Sequence, residues 1–570
     1  MKLVFGIEKR HIAAFALLLL CLSSLTLGQT TVTGGISGTV TDPSGAMVGG
    51  AKLTLKSVAT GETTTTTSSA TGDFQLPLLK PGDYTLIVSR DNFKSLTRTV
   101  TVLLGQNSTL NLALELGTGT TVIEVTSGPA LLQTEDANIT TTFDTHTVQN
   151  IPNPGNDITY VAQTAPGVSM NTSSGNGYGN FSAFGLPGTA NLFTINGNDY
   201  NDPFLNLNNS VASNLLLGTN DVQEVSVVSN GYTGQYGRQA GAQIDVSTKS
   251  GSNAFHGGAN YYWTGQALDA NDYFLNKSNQ PRPFQNNNNW AADLGGPIKK
   301  DKVFFFVDTE GLRYIFATAT QATLPTPAFQ NYVLSQNPTE TSFYQKIFGL
   351  YNGVKGIANA QPVANSCPGI NVASLQGNCL ETVTGSGSSG NSEWLLIGRV
   401  DYNLSDKDKI SGRVKFDRGV QPTYADPINS AFNAISRQPQ DEGQLNYTHV
   451  FSPSVFNNFI FSDIWYSAIF QPSNLPQGLA AFPEILCPAD TSMSCLGPTG
   501  GLFQSGFLFP QGRNVEQWQL VDDLSITKGR HSFKLGVNFR RDDVSDYRAS
   551  QDTALSIGRY LSCRLRFQQH

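Results

Sequence analysis

Residues 531–541 alternate strictly: Phe533, Leu535, Val537 and Phe539 share one face, and Ser532, Lys534, Asn538 and Arg540 share the other. The pattern recurs upstream. Ile410, Gly412, Val414 and Phe416 alternate with Ser411, Arg413, Lys415 and Asp417. Within 394–403, Trp394, Leu396, Val400 and Tyr402 oppose Arg399, Asp401 and Asn403, and Trp518, Leu520, Leu524 and Ile526 repeat the pattern with Asp522 interrupting it. A side-chain period of two belongs to an extended strand with one apolar and one polar face. A soluble sandwich and a barrel with lipid outside both satisfy it, so the connections must decide. Short ones at 297–301, 405–408, 452–454 and 527–530 alternate with long Asn/Pro/Gly-rich stretches near 265–288, 313–391, 419–441 and 468–513. A soluble fold has no reason to sort loop length by side, whereas outer-membrane barrels have short periplasmic turns and long external loops. Residues 254–541 are therefore expected to form strands of a transmembrane antiparallel β-barrel.

Export agrees with that placement. Lys2, Lys9 and Arg10 precede the apolar run 12–22, and Thr26 and Gly28 suit cleavage before Gln29, so 1–28 reads as a signal peptide. The run is too short for a span of about 20 residues, and no later segment is long and apolar enough for a transmembrane helix. Cys21 leaves with the signal. Cys367/Cys379 and Cys487/Cys495 form two locally spaced pairs in the long loops, as exposed disulfides would outside the cytoplasm, and Cys563 is left over. The charge balance, 36 − 43 = −7, argues against a nucleic-acid partner. No zinc, nucleophile or paired-carboxylate constellation stands out from scattered residues, so neither an enzyme nor a cofactor or metal site is expected.

Upstream, residues 33–115 read as about seven short strands with regular turns, a β-sandwich. The string GGISGTVTDPSGAMVGGAKLTLKSVATGETTTTTSSATGDFQLPLLKPGDYTLIVSRDNF resembles a carboxypeptidase regulatory-like domain, which implies a carbohydrate-binding-like fold without peptidase activity. The six His residues (11, 146, 256, 449, 531 and 570) agree, since none has Glu three positions on, as a zinc peptidase would need. Phe74, Tyr84 and Phe93 could stack on a sugar, but core positions suit them better.

Residues 117–128 form a linker with an extended core, and 129–253 mix short strands and loops. DVQEVSVVSNGYTGQYGRQAGAQIDVSTKSGSNAFHG (221–257) is similar to the end of a TonB-dependent receptor plug, and IPNPGNDITYVAQTAPGV and LFTINGNDYND also look like plug segments. Gly234, Gly237 and Gly241 would allow its tight bends. With the front sandwich, this order resembles the Oar-like branch of that family. Gln243 and Asp245 depart from the more apolar strand of commoner receptors, so siderophore specificity does not carry over.

The whole therefore reads as all-β with a small α+β plug: an N-terminal β-sandwich, a plug domain and a partial transmembrane antiparallel β-barrel. About nine barrel strands are expected up to residue 541, where plugged transporters close with about 22. Residues 542–570 lose alternation, so the expectation is an atypical tail on a C-terminally truncated chain.

The resemblance implies an outer-membrane receptor surrounded by lipid, binding an external ligand, carbohydrate or peptide, and energised by a periplasmic TonB-type protein. Thr121, Val122, Ile123, Glu124, Val125 and Thr126 are a candidate TonB box that would add as a strand to that partner, or else the plug's first strand. A surface adhesin and a non-functional receptor fragment are the alternatives. Loop aromatics Tyr261, Tyr262, Trp263, Tyr273 and Phe274 could line a ligand surface or a barrel girdle.

Overall fold

Turn chemistry sets the first unit. Asp42 accepts from the amides of Ser44 and Ala46 at 2.8 and 2.9 Å, and Gly45 takes φ +86°, reversing the chain after the first strand. A computed structural model describes residues 33–117, 120–122, 138–151, 158–170, 180–207, 212–213, 217–218, 220–230, 237–271, 273, 276, 282, 284–351, 360–424, 429, 433–452, 454–474, 476, 511–528 and 531–548. The expected signal peptide, Gly234, Phe274, Cys487, Cys495 and Cys563 lie outside the described residues.

The sandwich comprises β1 (Gly34–Thr41), β2 (Lys52–Ser57), β3 (Thr63–Thr67), β4 (Asp73–Leu79), β5 (Gly82–Ser89), β6 (Ser95–Val102), β7 (Asn107–Thr109) and β8 (Leu112–Ala113), joined by β9 (Thr120–Val122). One sheet runs β4-β1-β7, with β8 also on β1, and the other runs β3-β2-β5-β6-β9. Alternation along β2 and β5 sends Leu53, Leu55, Leu86 and Val88 between the sheets, where they meet Ile36, Val40 and Leu76. Phe74 and Tyr84 are buried in this core and Phe93 packs against it.

The plug contains β10 (Ile139–Asp144), α1 (Thr145–Asn150), β11 (Val168–Met170), β12 (Phe181–Ala183), β13 (Leu192–Ile195), β14 (Asn198–Asp199), β15 (Val222–Asn230) and β16 (Gln243–Thr248). Its main sheet has the order β10-β15-β16-β13-β14, with β13 parallel to β16 and β15 antiparallel to β10 and β16. Six of the nine residues of β15 are consecutively buried, as expected of a strand covered on both faces.

The wall is formed by β17 (His256–Gly265), β18 (Gln285–Lys299), β19 (Val303–Pro325), β20 (Gln361–Val363), β21 (Leu380–Asn403), β22 (Asp408–Tyr424), β23 (Ala434–Ser452), β24 (Val455–Pro472), β25 (Gln511–Lys528) and β26 (His531–Arg548). Among the described residues they pair antiparallel, each with its chain neighbour, from β17 to β26, except that β20 attaches beside β21, which itself pairs β19. Phe533, Leu535, Val537 and Phe539 all face outward and are more than half exposed, as alternation requires on a lipid-facing side.

Three expectations need correction. The ends of the stretches read as long loops at 313–391, 419–441 and 468–513 are strand: β19 and β21 have 23 and 24 residues, against the roughly 10 that cross a bilayer. Hairpin bonds continue beyond the lipid band, where alternation is no longer demanded and Ser, Thr and Gly suffice. For the same reason β26 runs to Arg548, paired with Gln511, so 542–548 is strand and not tail. Tyr261, Tyr262 and Trp263 lie in β17, not in a loop. The remaining insertion carries α2 (Pro327–Gln336) and α3 (Thr341–Gly349), with Thr326 capping α2 through the Phe329 amide.

Candidate functional site: the plug inside the strand wall

Residues 191–202 of the plug are unusual in being polar and buried together: Asn191, Asn196, Asn198, Asp199, Asn201 and Asp202 are each less than a tenth exposed. Buried polar groups must find partners, and here they organise first the plug and then its contact with the wall. The Asn191 side chain donates to the Phe181 carbonyl at 2.7 Å and accepts from the Ala242 amide at 2.9 Å. Asn201 accepts from the Phe193 amide and donates to the Asn191 carbonyl, at 2.8 and 2.9 Å. Gly241 is required beside them, because a Cβ there would stand 2.4 Å from Asn191 Oδ1 and 2.7 Å from the Ala190 carbonyl oxygen. Asp245, the departure noted in β16, accepts from Thr194 at 2.5 Å and Gln243 at 2.9 Å, a side-chain bond across the parallel β13/β16 pair.

The same run bonds to inward-facing wall residues. Gln519 accepts from the Asp199 amide at 2.9 Å, and Gln517 donates to its carbonyl at 2.9 Å. Gln444 donates to the Asn196 carbonyl at 3.0 Å, and Tyr200 donates to Glu442 at 2.8 Å. Charge follows the same division. Asp199 meets Arg540 of β26 at 2.6 Å and also pairs with the plug's Arg238, while Asp202 pairs with Arg513 of β25. Arg413 of β22 bridges Asp221 of the plug at 2.9 Å and Glu442 of β23 at 2.6 Å, with all three side chains almost fully buried. Between these bonds, Leu395, Ile397, Ile464 and Val515 of the wall pack on the plug core around Val225, Val227 and Ile244. The plug is thus seated on a mixed surface, and polar bonds set its register.

The sandwich meets both parts at the short-turn end of the wall. Lys80 reaches Asp401 at 2.9 Å, Glu62 pairs with Lys409, Thr527 donates to Gln75 at 2.6 Å, and the Asn253 amide donates to the Ala59 carbonyl at 2.9 Å. On the plug side, Glu224 of β15 accepts from the Leu104 amide at 3.0 Å. Burial pushes the Glu224 carboxyl up to about 7, with nearby Asp144 acting in the same direction and the Leu104 N–H opposing.

Of the residues singled out from sequence, Thr121 and Val122 lie in β9, parallel to Leu96 and Thr97 of β6, whereas Ile123, Glu124, Val125 and Thr126 are outside the described residues. Cys367 and Cys379 are disulfide-bonded, with Cα atoms 5.2 Å apart, and pack with Leu375, Phe329 and Tyr332 under α2. Tyr261 and Trp263 donate to Asn288 and Asn286 of β18 at 2.6 and 2.9 Å. Among the described residues no group of three or more His, Cys, Asp or Glu is placed to hold a metal ion. Sequence reasoning marked Arg413 and Arg540 as inward-facing but missed their plug partners. For Arg540 the available signal was the density of Asn and Asp in 196–202, which holds its partner Asp199; nothing local marked Asp221 as the partner of Arg413.

Family comparison supplies the context. Residues 247–560 match the outer membrane beta barrel domain, 134–242 the TonB-dependent receptor plug domain and 35–115 the carboxypeptidase regulatory-like domain. Over 261 residues the chain is 30% identical to the TonB-dependent transporter Oar of Myxococcus xanthus, an alignment covering 43% of this chain and 23% of that protein. Solved structures that resemble it include the outer membrane transporter YddB from Escherichia coli (TM-score 0.48, 11% identity, 72% of this chain and 49% of that one). The siderophore receptor PirA from Pseudomonas aeruginosa is another (TM-score 0.38, 11% identity, 72% and 49%). The chain spans about a quarter of the curated relative and about half of these structures. With a barrel-domain match over more than half its length, preceded by plug and regulatory-like domains, the chain belongs to the outer-membrane β-barrel family as an Oar-like TonB-dependent receptor.

Proposed function

We propose that this receptor takes up an external ligand, of carbohydrate or peptide class, by movement of its plug under the pull of a periplasmic TonB-type protein. The observation that carries this reading is the chemistry of the plug seat. Around 196–202 the plug is held by Gln444, Gln517, Gln519, Glu442, Arg513 and Arg540, groups that water can serve in turn when the plug shifts. A purely apolar seat would have to expose its whole area at once. The extended β9 supports a coupling role for the segment 121–126, since a strand already paired in parallel has the backbone shape that strand addition needs. The partner would pull from the sandwich side, the end with short turns.

Uptake of labelled oligosaccharides and oligopeptides, compared in cells with and without the TonB-type partner, tests the reading. Deleting 120–127 is expected to leave surface binding intact and abolish uptake. Uptake that persists without the partner refutes it.

A further inference from the structure

The sandwich touches the wall at separate points, all at one end. Ala59 and Thr60 bond to Asn253, just before β17, and Asn253 in turn bonds to Asp301 in the β18–β19 turn. Lys80 and Glu62 engage Asp401 and Lys409, on either side of the β21–β22 turn. Gln75 engages Thr527 at the β25–β26 turn. The wall side is pre-set: Arg399 donates through Nε and Nη2 to Asp401 at 2.9 and 3.0 Å, and its Nη1 donates to the carbonyl of Thr248 at the end of plug strand β16 at 3.0 Å. A fourth contact goes to the plug itself. The loop 103–106 buries Leu104 almost completely, its amide bonds to Glu224 in β15, and Gln106 donates to Thr142 of β10 at 2.9 Å. The sandwich is therefore bonded to Asn253 ahead of the first wall strand, to two turns of the wall and to two neighbouring strands of the plug sheet.

We propose that the N-terminal sandwich is a clasp that locks the plug from the periplasmic side, so that the plug strands β10 and β15 loosen only when the sandwich lifts from the turns. The geometry points to this because the turn contacts fix the position of the loop 103–106, and that loop closes over the plug sheet. Glu62–Lys409 is the contact best suited to hold the dock: both side chains are less than a fifth exposed, so the pair is partly shielded from water. The lock deepens the transport reading and takes its purpose from it, but docking can be measured without any ligand or partner.

The test is hydrogen exchange, resolved by peptide, on the full chain in detergent micelles. Lys409→Glu sets two carboxylates against each other, and exchange is expected to rise together in 103–106 and in 222–230, by about tenfold in each. Glu62→Lys breaks the same contact from the sandwich side and should do likewise. Combining Lys409→Glu with Glu62→Lys restores an opposite-charge pair and should return both segments to native protection, which a misfolded wall would not do. Loosening of 103–106 with β15 still protected overturns the clasp. So does native protection of both segments in the single variants, or failure of the swap to restore them. None of these outcomes bears on whether the receptor transports, which the uptake comparison decides separately.

Discussion

Replacing Arg413 by Met removes the guanidinium that ties Asp221 of the plug to Glu442 of the wall. The three side chains are nearly excluded from water, and Glu442 is also the acceptor for Tyr200, which accepts from Gln440 at 2.5 Å. Taking away the cation leaves two buried carboxylates facing one another with no positive partner between them. Breaking a buried pair in this way costs about 3–5 kcal/mol. At about 1.4 kcal/mol per tenfold, the plug sheet should open about a hundredfold more often or more. The assay is hydrogen exchange of β15 and β16 in purified receptor, with the amides of β2 and β5 in the sandwich as an internal reference. The pair energy itself comes from a double-mutant cycle with Asp221→Asn, whose coupling should exceed about 1 kcal/mol. Adding Asp221→Asn and Glu442→Gln to Arg413→Met should recover most of the loss, because the unpaired charges are then gone. A change below about threefold in β15, or an equal rise in the sandwich, would refute the idea that this triad seats the plug.

Three further outcomes follow from other contacts. Gly241→Ala should destabilise the plug by about 1–3 kcal/mol, read as a lower urea midpoint for plug unfolding, since its Cβ would collide with Asn191 and Ala190. Glu224 has its carboxyl raised to about 7 against an ordinary 4.5, so its contribution to docking is complete below pH 4.5 and is lost as pH rises through 7. Protection of 103–106, taken relative to the intrinsic base-catalysed exchange rate at each pH, should accordingly fall between pH 6 and pH 8, and Glu224→Gln should flatten that dependence; an unchanged slope would count against the assignment. Reducing Cys367–Cys379, or replacing both by Ser, should loosen the packing under α2 by about 2–3 kcal/mol. Proteolysis should then quicken within 326–379, while the β22–β23 pairing stays protected.

Much of the fold was legible because strands declare themselves locally. The alternation at 531–541 follows from a period of two and needs no knowledge of neighbours. Loop lengths gave the sidedness of the wall, and the sandwich docks at the short-turn end that they marked. Strand ends were less legible. Beyond the lipid band nothing enforces alternation, so β19, β21 and β26 continue through sequence that reads as loop or tail.

From the sequence by itself come the two-faced strands at 394–403, 410–417, 518–526 and 531–541, the sandwich over 33–115, and the placing of Arg413 and Arg540 on the face away from lipid. Only the tertiary structure decided what those arginines meet. Arg413 finds Asp221 at a separation of 192 residues, and Arg540 finds Asp199 at 341. Such pairings depend on the stagger accumulated from strand to strand and on the angle at which the plug sits. A period-two pattern records which face a residue occupies, but carries no information about the height or bearing of its partner.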